Sequence, residues 1–198
     1  MAINLVPEFL RTYYEVHEWK HACAILKNDF SSEWNDIVEV LTAFRLRKSD
    51  VLTPGGGKSP VASILDHGFY QRAWVEKAFD TKFVVDAEEL KSPTHKVDCY
   101  KNRIALEIEW NNKDPFFDRD LNNFRLLFGL RAISVGVIVT RCDELQDIFV
   151  GLGKGTSYGA STTHMSKLLP RIEGGGGGGC PVLVFGITKK LYVEDESR

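Results

Sequence analysis

Apolar positions fall into two regimes along this chain. From residue 104 onward, short apolar runs stand out at 104–110, 133–140 and 181–187. Runs of this length, rich in Val and Ile and bounded by polar turns, predict buried strands. Between the first two, Asn111-Asn112-Lys113-Asp114-Pro115 punctuates the chain. Pro115 just inside a helix start, with Asp114 as its cap, predicts a helix over 116–130. Strand, helix, strand at this spacing is a crossover unit, which makes the two strands parallel in one sheet. Further on, the pattern predicts a short helix at 142–149, an exposed loop at 151–163, a helix at 164–169 and a glycine loop at 174–179. Before residue 104 apolar and charged positions mix more finely. Residues 7–27 read as a helix, and a second at 33–45, opened by Ser31 or Ser32, turns Trp34, Ile37, Val38 and Leu41 inward. Residues 61–79 carry Val61, Ile64, Leu65, Phe69, Trp74 and Val75 at helical spacing, and 82–85 is a short strand. The fold class is α/β, a central mixed β-sheet flanked by helices, in one domain over 1–198.

Composition narrows this little. The chain is 43% hydrophobic and 26% charged, as expected of a globular protein. Its longest apolar stretches are far too short to span a bilayer, so no membrane partner is expected. No charged-then-apolar leader opens the sequence, and Cys23, Cys99, Cys142 and Cys180 are scattered without metal-ligand spacing. These features predict reduced thiols and a cytoplasmic location. Net charge is −2, yet residues 91–171 hold twelve Lys/Arg against nine acids, whereas 1–50 hold six against eight. A locally basic face permits a nucleic-acid partner without requiring one.

The acids carry the candidate chemistry. Glu107 and Glu109 interrupt an otherwise apolar strand and point to one face, while Leu106, Ile108 and Trp110 point to the other. A loop or adjacent strand carrying Asp98 can bring a third carboxylate beside them. Three carboxylates in one place repel unless a positive charge sits between them, and oxygen-only ligands suit Mg²⁺. The alternative is a solvated strand face whose acids pair with Lys101 or Arg103. Two other motifs read differently. The segment 53–60, with Gly55-Gly56-Gly57-Lys58-Ser59, lacks the earlier glycine of a phosphate-binding loop and reads as a flexible turn. His17-Glu18-Trp19-Lys20-His21 fits the H-E-x-x-H pattern of zinc proteases, but Ala24 and Lys27 stand where the extended form needs glycine and a third histidine.

At Asp98-Cys-Tyr-Lys-Asn-Arg-Ile-Ala-Leu-Glu107-Ile-Glu109 the sequence resembles the BglII/BstYI group of type II restriction endonucleases, within the PD-(D/E)xK nuclease superfamily. The polar turn 111–114, Phe116-Phe117 and the following helix extend the likeness. So do Ser134-Val135-Gly136-Val137, the loop Lys154-Gly155-Thr156-Ser157-Tyr158 and the closing strand at 181–187. Ser59-Pro60-Val61-Ala62 is a looser match. The resemblance runs over most of the chain and is most specific at 97–140. It departs at Glu109, where the superfamily usually places lysine and this group glutamine.

The resemblance implies a restriction-endonuclease-like core and Mg²⁺-dependent cutting of double-stranded DNA, leaving 5′-phosphate and 3′-hydroxyl ends. Asp98 and Glu107 would hold the metal with the backbone carbonyl of Ile108. Glu109 is either a further ligand or the base that takes a proton from the attacking water. Base and phosphate contacts are expected from Asn111, Asn112 and Lys113, and from Lys154, Thr156, Ser157, Tyr158, Ser161 and Thr162, with Arg171 as another phosphate contact. The second of these segments equally reads as a plain surface connection. A short palindrome with a GATC centre is the implied target, matched by a homodimer. Phe124, Leu127 and Phe128 on the helix at 116–130 are either part of that interface or core. Competing readings are a repair or nicking enzyme of the same superfamily, a non-catalytic DNA-binding protein on that fold, and a zinc protease.

Overall fold

The structure, a computed structural model, describes residues 2–53 and 57–195. Helix α1 (Glu8–Tyr13) leads into strand β1 (Tyr14–Trp19), followed by helices α2 (Ala22–Asp29) and α3 (Ser31–Ala43). Strand β2 (Leu46–Arg47), helices α4 (Lys48–Leu52) and α5 (Pro60–Tyr70) and strand β3 (Val75–Lys77) come next, then a hairpin of β4 (Asp80–Val85) and β5 (Glu88–Pro93). The middle of the chain is β6 (Val97–Lys101), β7 (Ile104–Glu109), α6 (Phe116–Gly129) and β8 (Val135–Arg141). Helices α7 (Leu145–Gly151) and α8 (Met165–Glu173) precede strands β9 (Val182–Ile187) and β10 (Tyr192–Val193).

Six strands form one mixed sheet in the order β1-β9-β8-β7-β6-β3. The central three run parallel, and every residue in them is buried. That double burial is why they read as nearly unbroken apolar runs. Helices α6 and α8 cover one face through Phe117, Leu121, Phe124, Leu127 and Leu168. Helices α1, α2, α3, α5 and α7 close the other around Leu10, Leu26, Ile37, Leu65 and Phe149. Gly136 sets how closely α6 approaches: a Cβ there would stand 2.3 Å from a ring carbon of Phe124. The mixed sheet, with its parallel β7-α6-β8 crossover, is the fold class expected from the sequence.

The N-terminal third departs from expectation. Residues 7–27 are not one helix, because 14–19 pairs antiparallel with β9, from Tyr14 opposite Ile187 to Trp19 opposite Val182. The open edge of β9 gives this aromatic and β-branched stretch a partner, and tertiary pairing overrides helical spacing. His17 therefore lies on a strand and His21 at φ 60° before α2, so the two share no helix face. Residues 61–79 likewise divide. Helix α5, opened by Ser59 accepting from Ala62 N–H and by Pro60, ends at Tyr70, and Ala73 at φ 62° turns the chain into β3.

Further corrections concern the middle of the chain. Asp114 does not cap α6; Pro115 stands at that position, and Asp114 lies 3.7 Å from both Lys167 and Arg171. Phe124 and Leu127 are fully buried in the core, which removes them from any subunit interface. The segment 151–163 is not a plain exposed loop, since Tyr158, Thr162 and Thr163 are buried. Residues 54–56 of the glycine-rich turn lie outside the described residues. No helix among the described residues is long and apolar enough to cross a membrane.

Candidate active site

Strands β6 and β7 meet through a two-residue turn, with Lys101 opposite Ile104 and Asn102 and Arg103 at φ 41° and 70°. Both turn residues at positive φ match the twist of a tight hairpin. Pairing runs to Cys99 opposite Leu106, so the next pair in register is Asp98 and Glu107. There, side chains replace the backbone ladder. The Asp98 N–H donates to Glu107 Oε2 at 3.1 Å, and the Ile108 N–H donates to Asp98 Oδ2 at 3.0 Å. The hairpin thus brings together two acids nine residues apart. Asp98 lies in the stretch of β6 where the pairing with β3 shifts register, between Val75–Tyr100 and Lys77–Val97. Such an irregularity re-aims a side chain out of strict alternation.

Glu107 and Glu109 point toward α6, and Leu106, Ile108 and Trp110 pack into the opposite core. Glu107 is fully buried, and its Oε1 has no hydrogen-bond partner among the described residues. Burial pushes its carboxyl well above the usual range, and the charges of Asp120, Asp98 and Glu109 add to this. Glu109 is 1% exposed and belongs to a separate set of contacts. Asn112 Nδ2 donates to its Oε2 at 2.9 Å, and Arg119 Nη2 to its Oε1 at 3.3 Å. The same Nη2 donates to Asp120 Oδ1 at 2.9 Å. Burial, then the Asp120 charge, pushes Glu109 up to about 9 against the opposing Asn112 and Arg119 contacts.

Sequence reasoning placed the three acids at one point; in the structure Glu107 and Glu109 share one face of β7 but differ in their hydrogen bonds. Asp98 and Glu107 are joined directly, while Glu109 turns to Arg119, Asn112 and Asp120. Among the described residues, no group of three or more His, Cys, Asp or Glu stands ready to hold a metal ion. The pair Asp98 and Glu107 nevertheless suits a divalent cation on two counts. Its donors are all oxygen, and the unpartnered, buried Oε1 of Glu107 beside three other acids is stabilised by added positive charge. Asp120 is the acid that sequence reasoning missed. Its signal was spacing: Phe117, Asp120, Leu121, Phe124 and Leu127 form one helical stripe, and an acid on an apolar stripe is buried against something.

A cavity of about 490 Å³ opens on the other side of β7, with Asp98 at its rim. Ile108, Trp110 and Tyr158 form its apolar floor, and Lys58, Ser59, Ser63, Asn111, Asn112, Lys154 and Ser157 supply polar walls. Asn111 at φ 60° reverses the chain after β7, which folds Asn112 back onto Glu109. The Asn111 Oδ1 is buried without a hydrogen-bond partner among the described residues. Lys113 is exposed and bridges Thr162, while Thr156 and Ser161 are exposed away from the cavity. Two expected contact residues are buried and packed against neighbouring side chains. Tyr158 stacks on Phe149 at 4.0 Å and meets Trp110 edge-on at 6.0 Å. The Thr162 hydroxyl accepts from Arg141 Nη2 at 2.8 Å and donates to the Gly159 carbonyl at 2.8 Å.

Sequence reasoning also missed Lys58 and Asp66 near this cavity. Asp66 on α5 is buried, forms an ion pair with Lys58, and accepts from Cys99 Sγ at 3.6 Å. Burial works against the Lys58 charge, but Asp66 and the nearby Asp98 more than offset it and hold the ammonium above the usual lysine range.

Against known proteins, a family model described as restriction endonuclease BglII/BglIII matches residues 14–187. The matched region takes in every strand of the central sheet and both elements of the acidic hairpin. A search among curated proteins gives no match.

Proposed function

Because the chain belongs to the BglII/BglIII restriction endonuclease family, a group of type II site-specific deoxyribonucleases, we propose that it cuts both strands of DNA at a short GATC-centred palindrome. In this reading it acts as a cytoplasmic homodimer with Mg²⁺ and leaves 5′-phosphate and 3′-hydroxyl ends. The observation that carries the site assignment is the paired bonding of the two carboxylates, Glu107 Oε2 accepting from the Asp98 N–H and Asp98 Oδ2 from the Ile108 N–H, with the buried Glu107 Oε1 left without a partner among the described residues.

Asp98, Glu107 and the Ile108 carbonyl are the proposed ligands. These residues would hold Mg²⁺, which when bound would supply positive charge for phosphodiester hydrolysis. The chain's own residues do the rest. The Ile108 N–H fixes the Asp98 carboxylate, and the Asp98 N–H fixes that of Glu107, so neither must reorganise when substrate arrives. Glu109 would act in its ionised form, as a further ligand or as the acceptor of a proton from water, and added positive charge beside Glu107 favours that form. Arg119 and Asn112 hold it in place for either role. Asn111, Asn112 and Ser157 contact bases or sugar at the cleft, Lys113, Thr156 and Ser161 reach further along the duplex, and Lys154 meets phosphate.

Digesting a DNA of known sequence with the chain and Mg²⁺, then mapping the ends, tests this reading. Discrete fragments with 5′-phosphates at one palindromic site are expected. Single-strand nicks, or cuts without sequence preference, would favour a different nuclease of the superfamily.

A further inference from the structure

We propose that Lys58 provides the positive charge that meets the scissile phosphate, in place of the lysine that the wider superfamily carries at the position of Glu109. The inference rests on the nuclease reading above and adds a catalytic residue to it.

Three observations support it. First, the side chain at the usual lysine position cannot serve. Glu109 is an acid, is 1% exposed, and is bound to Asn112 and Arg119 on the α6 side of β7 rather than in the cleft. Second, Arg119, the cation bound to Glu109, is already committed. It bonds Glu109 and Asp120 and lies over the Phe116 ring at 4.0 Å. Third, Lys58 lines the cleft with Asp98, while its side chain is 49% exposed and paired with Asp66, which is 4% exposed.

The local sequence explains why Lys58 stands there. Ser59 caps α5 and Pro60 fills its first turn, so the residue just before them is fixed against the helix start. Buried Asp66, nearly two turns into α5, then holds the ammonium beside Asp98. A lysine ammonium is a compact point charge with three donors, suited to a phosphate's non-bridging oxygens. When a phosphodiester enters, the exposed ammonium exchanges Asp66 for phosphate or bonds both. Charge building on those oxygens in the transition state is what it stabilises.

The test uses the full chain and a duplex oligonucleotide carrying the mapped site. Single-turnover cleavage in Mg²⁺ and binding in Ca²⁺ are measured for wild type, Lys58→Ala and Lys58→Arg. Lys58→Ala is expected to slow cleavage ~10²–10³-fold while weakening binding less than ~10-fold. Lys58→Arg, which keeps the charge, should recover at least ~10-fold of the rate. Cleavage by Lys58→Ala at the wild-type rate would overturn the proposal. So would equal losses in binding and rate, or a lowered melting temperature that Lys58→Arg shares without recovering cleavage. If the wild type itself cuts no DNA, the nuclease reading fails and this inference falls with it; a wild type that cuts alongside an equally active Lys58→Ala overturns the inference alone.

Discussion

On one face of β7, Leu106, Ile108 and Trp110 enter the larger core, and the last two form the floor of an open cleft. On the other, Glu107 and Glu109 meet Asp120 and Arg119 of α6 with almost no exposure to solvent. The backbone is the same, yet one face offers space and the other charge. A phosphodiesterase needs both at one point, and Asp98 is where they meet: it lines the cleft while its backbone and carboxylate are tied to Glu107 and Ile108. The contrast also shows how a buried acid can be retained. Each carboxylate toward α6 is costly alone, but mutual hydrogen bonds, one arginine and protonation lower that cost. The arrangement is poised for added positive charge rather than balanced without it.

The sharpest way to break the comparison is to remove the acid of the closed face that touches Asp98. Glu107→Ala should reduce DNA cleavage at least ~10³-fold, whereas binding to the cognate duplex in Ca²⁺ should survive. Gel-shift titration beside a cleavage time course separates the two. Near-normal turnover would show that the closed face plays no part in the chemistry.

The open face has a structural claim to test next. If Tyr158 is core rather than a base reader, Tyr158→Ala should cost about 3–5 kcal/mol in urea unfolding. Tyr158→Phe should cost under about 1.5 kcal/mol and leave the cleavage site unchanged. A relaxed or altered site in Tyr158→Phe would return this residue to the recognition surface.

A pH experiment addresses the closed face without DNA. Glu109 is held at about 9 against an ordinary value of 4.5, so the folded chain binds its proton more tightly than the unfolded chain. That stability is fully present below about 4.5 and is lost as pH rises through about 9. Melting temperature in EDTA should therefore fall across this window. Glu109→Gln, which fixes a neutral group of the same shape, should flatten the decline. It should not abolish it, because Glu107 and Asp120 are displaced in the same direction. An unaltered slope in Glu109→Gln would mean that Glu109 is ionised in the closed state.

The two faces were not equally legible in the sequence. Strand, turn, helix and strand from Ile104 to Thr140 announce themselves, because contiguous apolar runs and Pro115 each permit few conformations. The pointing of Glu107 and Glu109 away from Ile108 and Trp110 follows from strand geometry alone. Strand β1 was hidden because Tyr14–Trp19 carries Glu15, His17 and Glu18, and only the edge of β9 makes it a strand. The separation of Glu109 from Glu107 depends on Asn112 and Arg119, which local pattern does not position. Lys58 was less legible still. It lies forty residues from Asp98 in a segment whose glycines read as a turn, and only the docking of α5 beside β6 and β7 brings it to the cleft.

The gentlest perturbation compares two cations at different distances from that cleft. Lys154 lines it and makes no ion pair among the described residues. Arg171 on α8 bonds Asp118 at 2.9 Å and lies 3.7 Å from Asp114. A cation that neutralises one DNA phosphate releases condensed counterions, so removing it lowers the slope of log binding constant against log salt by about 0.9. Lys154→Ala should show that change across a salt titration of cognate DNA binding. Arg171→Ala should show clearly less, since its charge is already spent on two carboxylates. Equal changes for both would mean that the Asp114 and Asp118 pairing opens on contact with DNA. The duplex would then reach past the cleft to α8, and the boundary between the open and closed faces would lie further round the molecule than β7.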